Sequence, residues 1–214
     1  MPSRALLLAF ATALALLALL ALVTLRAVTD LERPPSRWPG AAAIPLADGF
    51  DFPVGAPDAR GYRDAQPFGL NQHLGSDWNG VLGADTDLGD PVFAAAAGLV
   101  TEAADHGGGW GNVVRVVHRV SSAPGRAAAG AGPERLVETL YAHLDRIDVR
   151  PGDLVTRGQP IGTIGTAHGR YLAHLHFELR TSVGVALGGG YGDPASLGHV
   201  DPTAFIQAHR PPRR

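Results

Sequence analysis

Apolar and polar residues alternate along Tyr171-Leu-Ala-His174-Leu-His176-Phe-Glu178-Leu-Arg180. In an extended strand, successive side chains point to opposite faces. His174, His176, Glu178 and Arg180 then share one face, and Leu175, Phe177 and Leu179 the other. Upstream, Pro91–Val100 is an apolar strand candidate, and Gly107–Gly111 reads as a turn. Asn112–Val120 and Leu136–Leu144 are rich in Val and Leu and are expected to pair as a hairpin. The Ala-, Gly- and Pro-rich stretch 121–135 between them reads as a surface loop. Residues 149–164 read as short strands broken at Pro151-Gly152 and Arg157-Gly158. Residues 188–198 read as loop, and Asp201-Pro202 opens a short terminal helix or turn. No long helical periodicity follows residue 30. The body is therefore expected to be all-β, a mainly antiparallel sheet or sandwich.

The beginning of the chain breaks this pattern. Ala5 to Leu25 is a run of 21 residues without charge, flanked by Arg4 and Arg26. At about 1.5 Å per residue, such a helix crosses a hydrocarbon core of roughly 30 Å. A cleavable signal has a shorter apolar core, of roughly 7–15 residues, followed by a small-x-small site. Leu25-Arg26-Ala27 supplies no such site. Residues 1–28 are read as an uncleaved signal anchor, one transmembrane helix, with secretion after cleavage as the alternative. Residues 29–49, with Pro34-Pro35 and Pro39-Gly40, read as a linker. Residues 50–209 read as one domain and 210–214 as a tail.

Composition removes several classes of chemistry. The net charge of -2 argues against a surface built for nucleic acid. There is no cysteine, so disulfides and thiolate metal sites are excluded and any metal must use His and carboxylate. All 18 basic residues are Arg. The absence of Lys rules out Schiff-base chemistry and a lysine-linked carrier, although 149–164 also looks like half of a lipoyl- or biotinyl-type module. With 28 Gly and 17 Pro, the chain favours short elements joined by tight turns.

An isolated His-x-His fits a strand facing solvent as readily as a metal site, so its partners decide. Two further stretches supply them. Asn71-Gln-His73-Leu-Gly-Ser-Asp77-Trp-Asn-Gly80 puts a His and an Asp four apart, with glycines that disfavour a helix and suggest a turn. Leu140-Tyr-Ala-His143-Leu-Asp145 places another His at the end of an apolar strand. Together these blocks resemble the LytM/lysostaphin-type zinc metallopeptidases. His73-Leu-Gly-Ser-Asp77 fits that family's His-x-Gly-x-Asp, Tyr141-Ala-His143-Leu its middle block, and His174-Leu-His176-Phe-Glu-Leu-Arg its closing strand. Gly89-Asp-Pro-Val-Phe, Gly109-Trp-Gly-Asn112 and Pro151-Gly-Asp-Leu-Val-Thr-Arg-Gly-Gln-Pro-Ile-Gly162 fit its scaffold. The resemblance spans about Phe50 to Ile206.

The resemblance implies that His73, Asp77 and His176 hold one zinc ion, and that His143 and His174 stand beside it unliganded. It implies a compact antiparallel β domain with an active-site groove, and a zinc endopeptidase that cuts peptide bonds of bacterial peptidoglycan, placed outside the cytoplasm. A monomer is expected. Three N/O ligands suit a catalytic zinc. No His-Glu-x-x-His helix is present to supply a glutamate base, and a free histidine is suited to that task near neutral pH. The alternative function is a silent activator of other wall hydrolases, since relatives that lose the zinc ligands act in that way. Among the other residues, His106 and His118 are expected to be surface or structural, and His168 to lie near the groove rim. His199 and His209 are expected to be incidental, and Glu178 and Arg180 a structural pair or support for the site. Trp78 and Trp110 are expected to be buried aromatics, and Asn71 a turn residue. The loop before His174 departs from the family pattern in carrying Arg170 and Tyr171.

Overall fold

The computed structural model describes residues 40–121 and 133–211. The anchor expected at 1–28 and most of the loop expected at 121–135 lie outside the described residues. Among the described residues, no helix is long and apolar enough to cross a membrane. Of the linker expected over 29–49, the stretch from Ile44 onward is packed: Ile44 and Ala47 are buried, and Leu46 bridges Arg119.

The body is an antiparallel β structure. Its strands are β1 (Tyr62–Gln66), β2 (Ser76–Gly80), β3 (Pro91–Phe93), β4 (Gly98–Asp105) and β5 (Asn112–Ser121). They continue as β6 (Glu134–Ile147), β7 (Leu154–Val155), β8 (Pro160–Ile164), β9 (Leu175–Arg180) and β10 (His199–Val200). One sheet runs in the order β1-β2-β9-β6-β5-β4-β7, with β10 on β9 and β8 joining β6 to β3. The expected strand over 91–100 is two strands: β3 pairs with β8, and β4 with β5 and β7. Ala94, Ala95 and Ala96 between them are buried. The chain leaves one partner strand there and joins another, which an apolar run cannot reveal. Among the described residues, one α-helix, α1 (Pro202–Ala208), follows β10. It begins where Asp201 accepts the Ala204 N–H and Pro202 has no N–H in need of an acceptor.

The alternating pattern of β9 is observed, but both of its faces are buried. Leu175, Phe177 and Leu179 join Tyr141, Val114 and Val116 in the main core, together with Val92, Ile161 and Ile164 of the β3–β8 pair. The opposite face of β9, β6 and β5 carries Glu178, Arg180, Glu138 and Arg115, all buried. The segment after β9 covers it, with Leu187 packed on Val113, Leu140 and Ala142. The polar face, expected to meet solvent or line a site, is roofed by the loop that follows the strand.

His118, expected to be surface or structural, is structural. It is fully buried, bonds the Ala97 carbonyl at 3.0 Å and the Thr139 hydroxyl at 2.8 Å, and meets Phe50 edge-on. Burial lowers its pKa to about 4, against a small opposing effect of the Ala97 carbonyl. An unfolded His titrates near 6.5. Between these values the unfolded chain binds more protons, so stability falls as pH drops from about 6.5 to about 4, by up to about 3 kcal/mol from this group. Urea titrations across that range are expected to show a shallower pH dependence for His118→Gln than for the wild type. An identical dependence would contradict the assignment.

Candidate metal centre

The centre is assembled by strand register. β2 pairs with β9 so that Asp77 lies opposite His176, and β6 pairs with β9 so that Ala142 lies opposite His176. Asp77 and His176 therefore project from the same side of adjacent strands. His73 reaches them from the extended approach to β2, with φ -65° and ψ 131°. Where a turn is expected between His73 and Asp77, the chain bends at Leu74 and Gly75; a further turn precedes it at 70–72, where Asn71 is left-handed. Gly75 between them allows the close approach: a Cβ there would stand 2.6 Å from the Phe177 carbonyl oxygen and 3.0 Å from His176 Cε1.

Three ligand atoms converge. His73 Nε2 is 3.1 Å from His176 Nδ1 and 3.4 Å from Asp77 Oδ1, and His176 Nδ1 is 2.9 Å from Asp77 Oδ1. Bonds of about 2.0–2.1 Å to a tetrahedral zinc put its ligand atoms about 3.3 Å apart. The other nitrogens of both imidazoles face acceptors: His73 Nδ1 meets the Gln66 carbonyl at 2.9 Å and His176 Nε2 meets Glu178 Oε1 at 3.0 Å. Each then carries its proton away from the cluster and turns a lone pair inward. Two lone pairs and a carboxylate oxygen pointing at one place require a cation. The residues present thus fit a zinc ion.

The electrostatics agree. Burial disfavours a charged His176, but its hydrogen bonds to Asp77 and Glu178 and their charges push it up to about 9. Burial likewise opposes ionisation of Asp77, and the bonds from His176 and His73 outweigh it, holding the carboxyl well below the usual range. Without a metal, a proton takes the place of the cation.

The two remaining histidines stand beside this cluster. His143 lies within β6 rather than at its end, at a bulge where its φ is +63°. Its N–H and Nδ1 both face the Trp110 carbonyl, at 3.0 and 3.3 Å. His174 Nδ1 faces the Leu172 carbonyl at 2.8 Å, and its Nε2 lies 3.8 Å from Asp77 Oδ1. The two rings are 4.7 Å apart. Gly165 bridges His174 and lies against the bulge; a Cβ there would meet the His143 carbonyl oxygen at 2.5 Å and Asp145 N at 2.3 Å. Burial first, then the neighbouring His176 and His174, push His143 down to about 3. It is neutral at neutral pH.

A groove of about 160 Å³ opens onto His143 and His176, lined by Gly109, Trp110, Tyr171 and Gly190. Trp110, expected to be a buried aromatic, is half-exposed and donates to the Gly188 carbonyl while its ring faces His176 at 5.5 Å. Trp78 is buried as expected. His168 is exposed and pairs with Asp105. His199, expected to be incidental, is buried and bonds Glu178 Oε2 at 3.1 Å; nothing in its polar, Gly-rich surroundings in the sequence signals this. Tyr191, which bridges His73 and faces its ring at 5.3 Å, had no sequence signal either.

Comparison with known proteins matches residues 73–187 to the family model of peptidase family M23. The chain is 33% identical over 92 residues to the lipoprotein NlpD of Yersinia enterocolitica, covering 43% of this chain and 78% of that one. Among solved structures it resembles lysostaphin from Staphylococcus simulans, at 24% identity and a TM-score of 0.48. That match covers 69% of this chain and half the length of lysostaphin. A peptidase M23 from Pseudomonas aeruginosa is 25% identical with a TM-score of 0.47, covering 86% of this chain and 60% of its own.

Ligands must be deprotonated to bind a metal. With His176 at about 9 in the free protein, zinc binding at neutral pH is expected to release about one proton. Apparent affinity then rises roughly tenfold per pH unit up to about pH 9. Calorimetry in two buffers of different ionisation enthalpy measures the proton count, and a count near zero would contradict this arrangement.

Proposed function

The chain belongs to peptidase family M23, and we propose that it is a zinc-dependent endopeptidase that hydrolyses peptide bonds in bacterial peptidoglycan. One observation carries this reading: His73 Nε2, Asp77 Oδ1 and His176 Nδ1 lie within 3.4 Å of one another, beside two histidines that the cluster does not use. A zinc ion held there would polarise the scissile carbonyl and lower the pKa of a water from about 16 toward 7.

The residues around the ion supply the rest. His143 is held by the Trp110 carbonyl through Nδ1, so Nε2 carries the lone pair. Kept neutral by burial, it accepts the proton of the attacking water and returns it to the leaving amine as the C–N bond breaks. His174, fixed through the Leu172 carbonyl by Nδ1–H, likewise turns Nε2 to the site, and in its doubly protonated form it donates from there to the oxygen that gains charge. Gly109 and Gly190 leave the groove open for an extended peptide, with Trp110 and Tyr171 as its apolar walls. A silent activator would need none of this chemistry, and all five positions are filled.

His143→Ala and His174→Ala are each expected to retain zinc and lose about two to four orders of magnitude in turnover of purified walls. His73→Ala and His176→Ala are expected to lose both, and a chelator to abolish wild-type activity until zinc is restored. A wild type that binds zinc and leaves walls intact would favour the activator. We also infer that the body lies outside the cytoplasm, held by the expected anchor at 1–28. An alkaline phosphatase fused after residue 40 is expected to be active, and an inactive fusion would oppose that placement.

A further inference from the structure

The polar face of β9 continues beyond His176 into a buried chain of charges that the proposed reaction does not use. Glu178 is fully buried. Its Oε1 accepts from His176 Nε2, and its Oε2 accepts from Arg180 at 2.9 and 2.6 Å and from His199 at 3.1 Å. Arg180, also fully buried, donates from Nη1 to the Ala186 carbonyl and from Nη2 to that of Leu187. Every partner of this carboxylate is thus a donor, and the one facing the metal centre is an imidazole N–H. His73 differs, since its outer nitrogen meets only the backbone carbonyl of Gln66.

Resting on the reading that His73, Asp77 and His176 hold zinc, we propose that Glu178 is the positioning residue of that centre, fixing the ring and tautomer of His176, with Arg180 and His199 holding the carboxylate in place. Oε1 keeps the proton on Nε2 and so leaves Nδ1 free to ligate. A carboxylate acceptor also makes the imidazole a stronger ligand than a carbonyl acceptor does. The guanidinium fork and the His199 ring leave Oε2 no second orientation, and the carbonyls of Ala186 and Leu187 leave Arg180 none.

A neighbouring pair provides the control. Glu138 on β6 accepts two bonds from Arg115 on β5, and is equally buried on the same face, yet touches no metal ligand. The test uses the full chain, with zinc affinity by competition titration and the visible spectrum of the cobalt form. Glu178→Gln alone leaves Arg180 buried without a counter-charge, so Glu178→Gln/Arg180→Met, which removes the pair together, is measured beside it. Thermal melts confirm folding. The Glu178 variants are expected to bind zinc about 10–100-fold more weakly, with a shifted cobalt spectrum. Glu138→Gln/Arg115→Met is expected to keep wild-type affinity and spectrum. Unchanged affinity in the folded Glu178→Gln/Arg180→Met protein would overturn the proposal, as would an equal loss in the control. A wild type without zinc affinity would overturn the metal centre itself, and is told apart by appearing before any substitution.

Discussion

The register of β9 between β2 and β6 is the constraint on which the site depends. It sets His176 opposite Asp77 on one side and Ala142, next to His143, on the other. Because side chains alternate, a slip of one residue would turn His176 into the core and Phe177 out of it. The apolar face prevents that slip. Leu175, Phe177 and Leu179 are fully buried against Tyr141 and its neighbours, and each such side chain contributes roughly 1.5–3 kcal/mol. The chemistry is thus positioned by residues on the face it does not occupy. Gly75 lets β2 come close enough for the pairing to bring ligand atoms together.

His176, a proposed ligand, and His143, proposed to stay free, differ in backbone rather than in residue type. His176 lies in regular pairing and points into the cluster. His143 sits on a bulge with a left-handed backbone, which re-aims its ring beside the cluster instead of into it. The conformation is retained because the Trp110 carbonyl holds it on one side and Gly165 packs against it on the other. The buried charges beyond His176 have a different standing. Removing both partners of a buried ion pair for apolar residues is often neutral or stabilising, so overall stability gives little reason for Glu178 and Arg180. The proposed orientation of His176 by Glu178 does.

Much of this was legible in the sequence. The three blocks, matched to a known family's pattern, pick out five residues that the fold brings together. The period-two pattern of 171–180 gave the two faces of the strand. The antiparallel body followed from short apolar runs between Gly and Pro turns. What stayed hidden depends on contacts far apart in the chain. The break between β3 and β4 lies inside a continuous apolar run and is set by which strand each half pairs with. The burial of the polar face depends on the loop 183–191 folding back, and that loop has no periodicity. His199 joins Glu178 across 21 residues, and Tyr191 meets His73 across more than a hundred. Trp110 lines the groove because the turn holding it leans over His176, which composition cannot show.

The central claim is that His73, Asp77 and His176 form the metal centre while His143 and His174 stay free. Anomalous diffraction at the zinc edge from zinc-grown crystals addresses it most directly. The account predicts one strong peak about 2.0–2.2 Å from His73 Nε2, Asp77 Oδ1 and His176 Nδ1, with neither His143 nor His174 in bonding distance. A peak between His143 and His174, or none at the cluster, would contradict it.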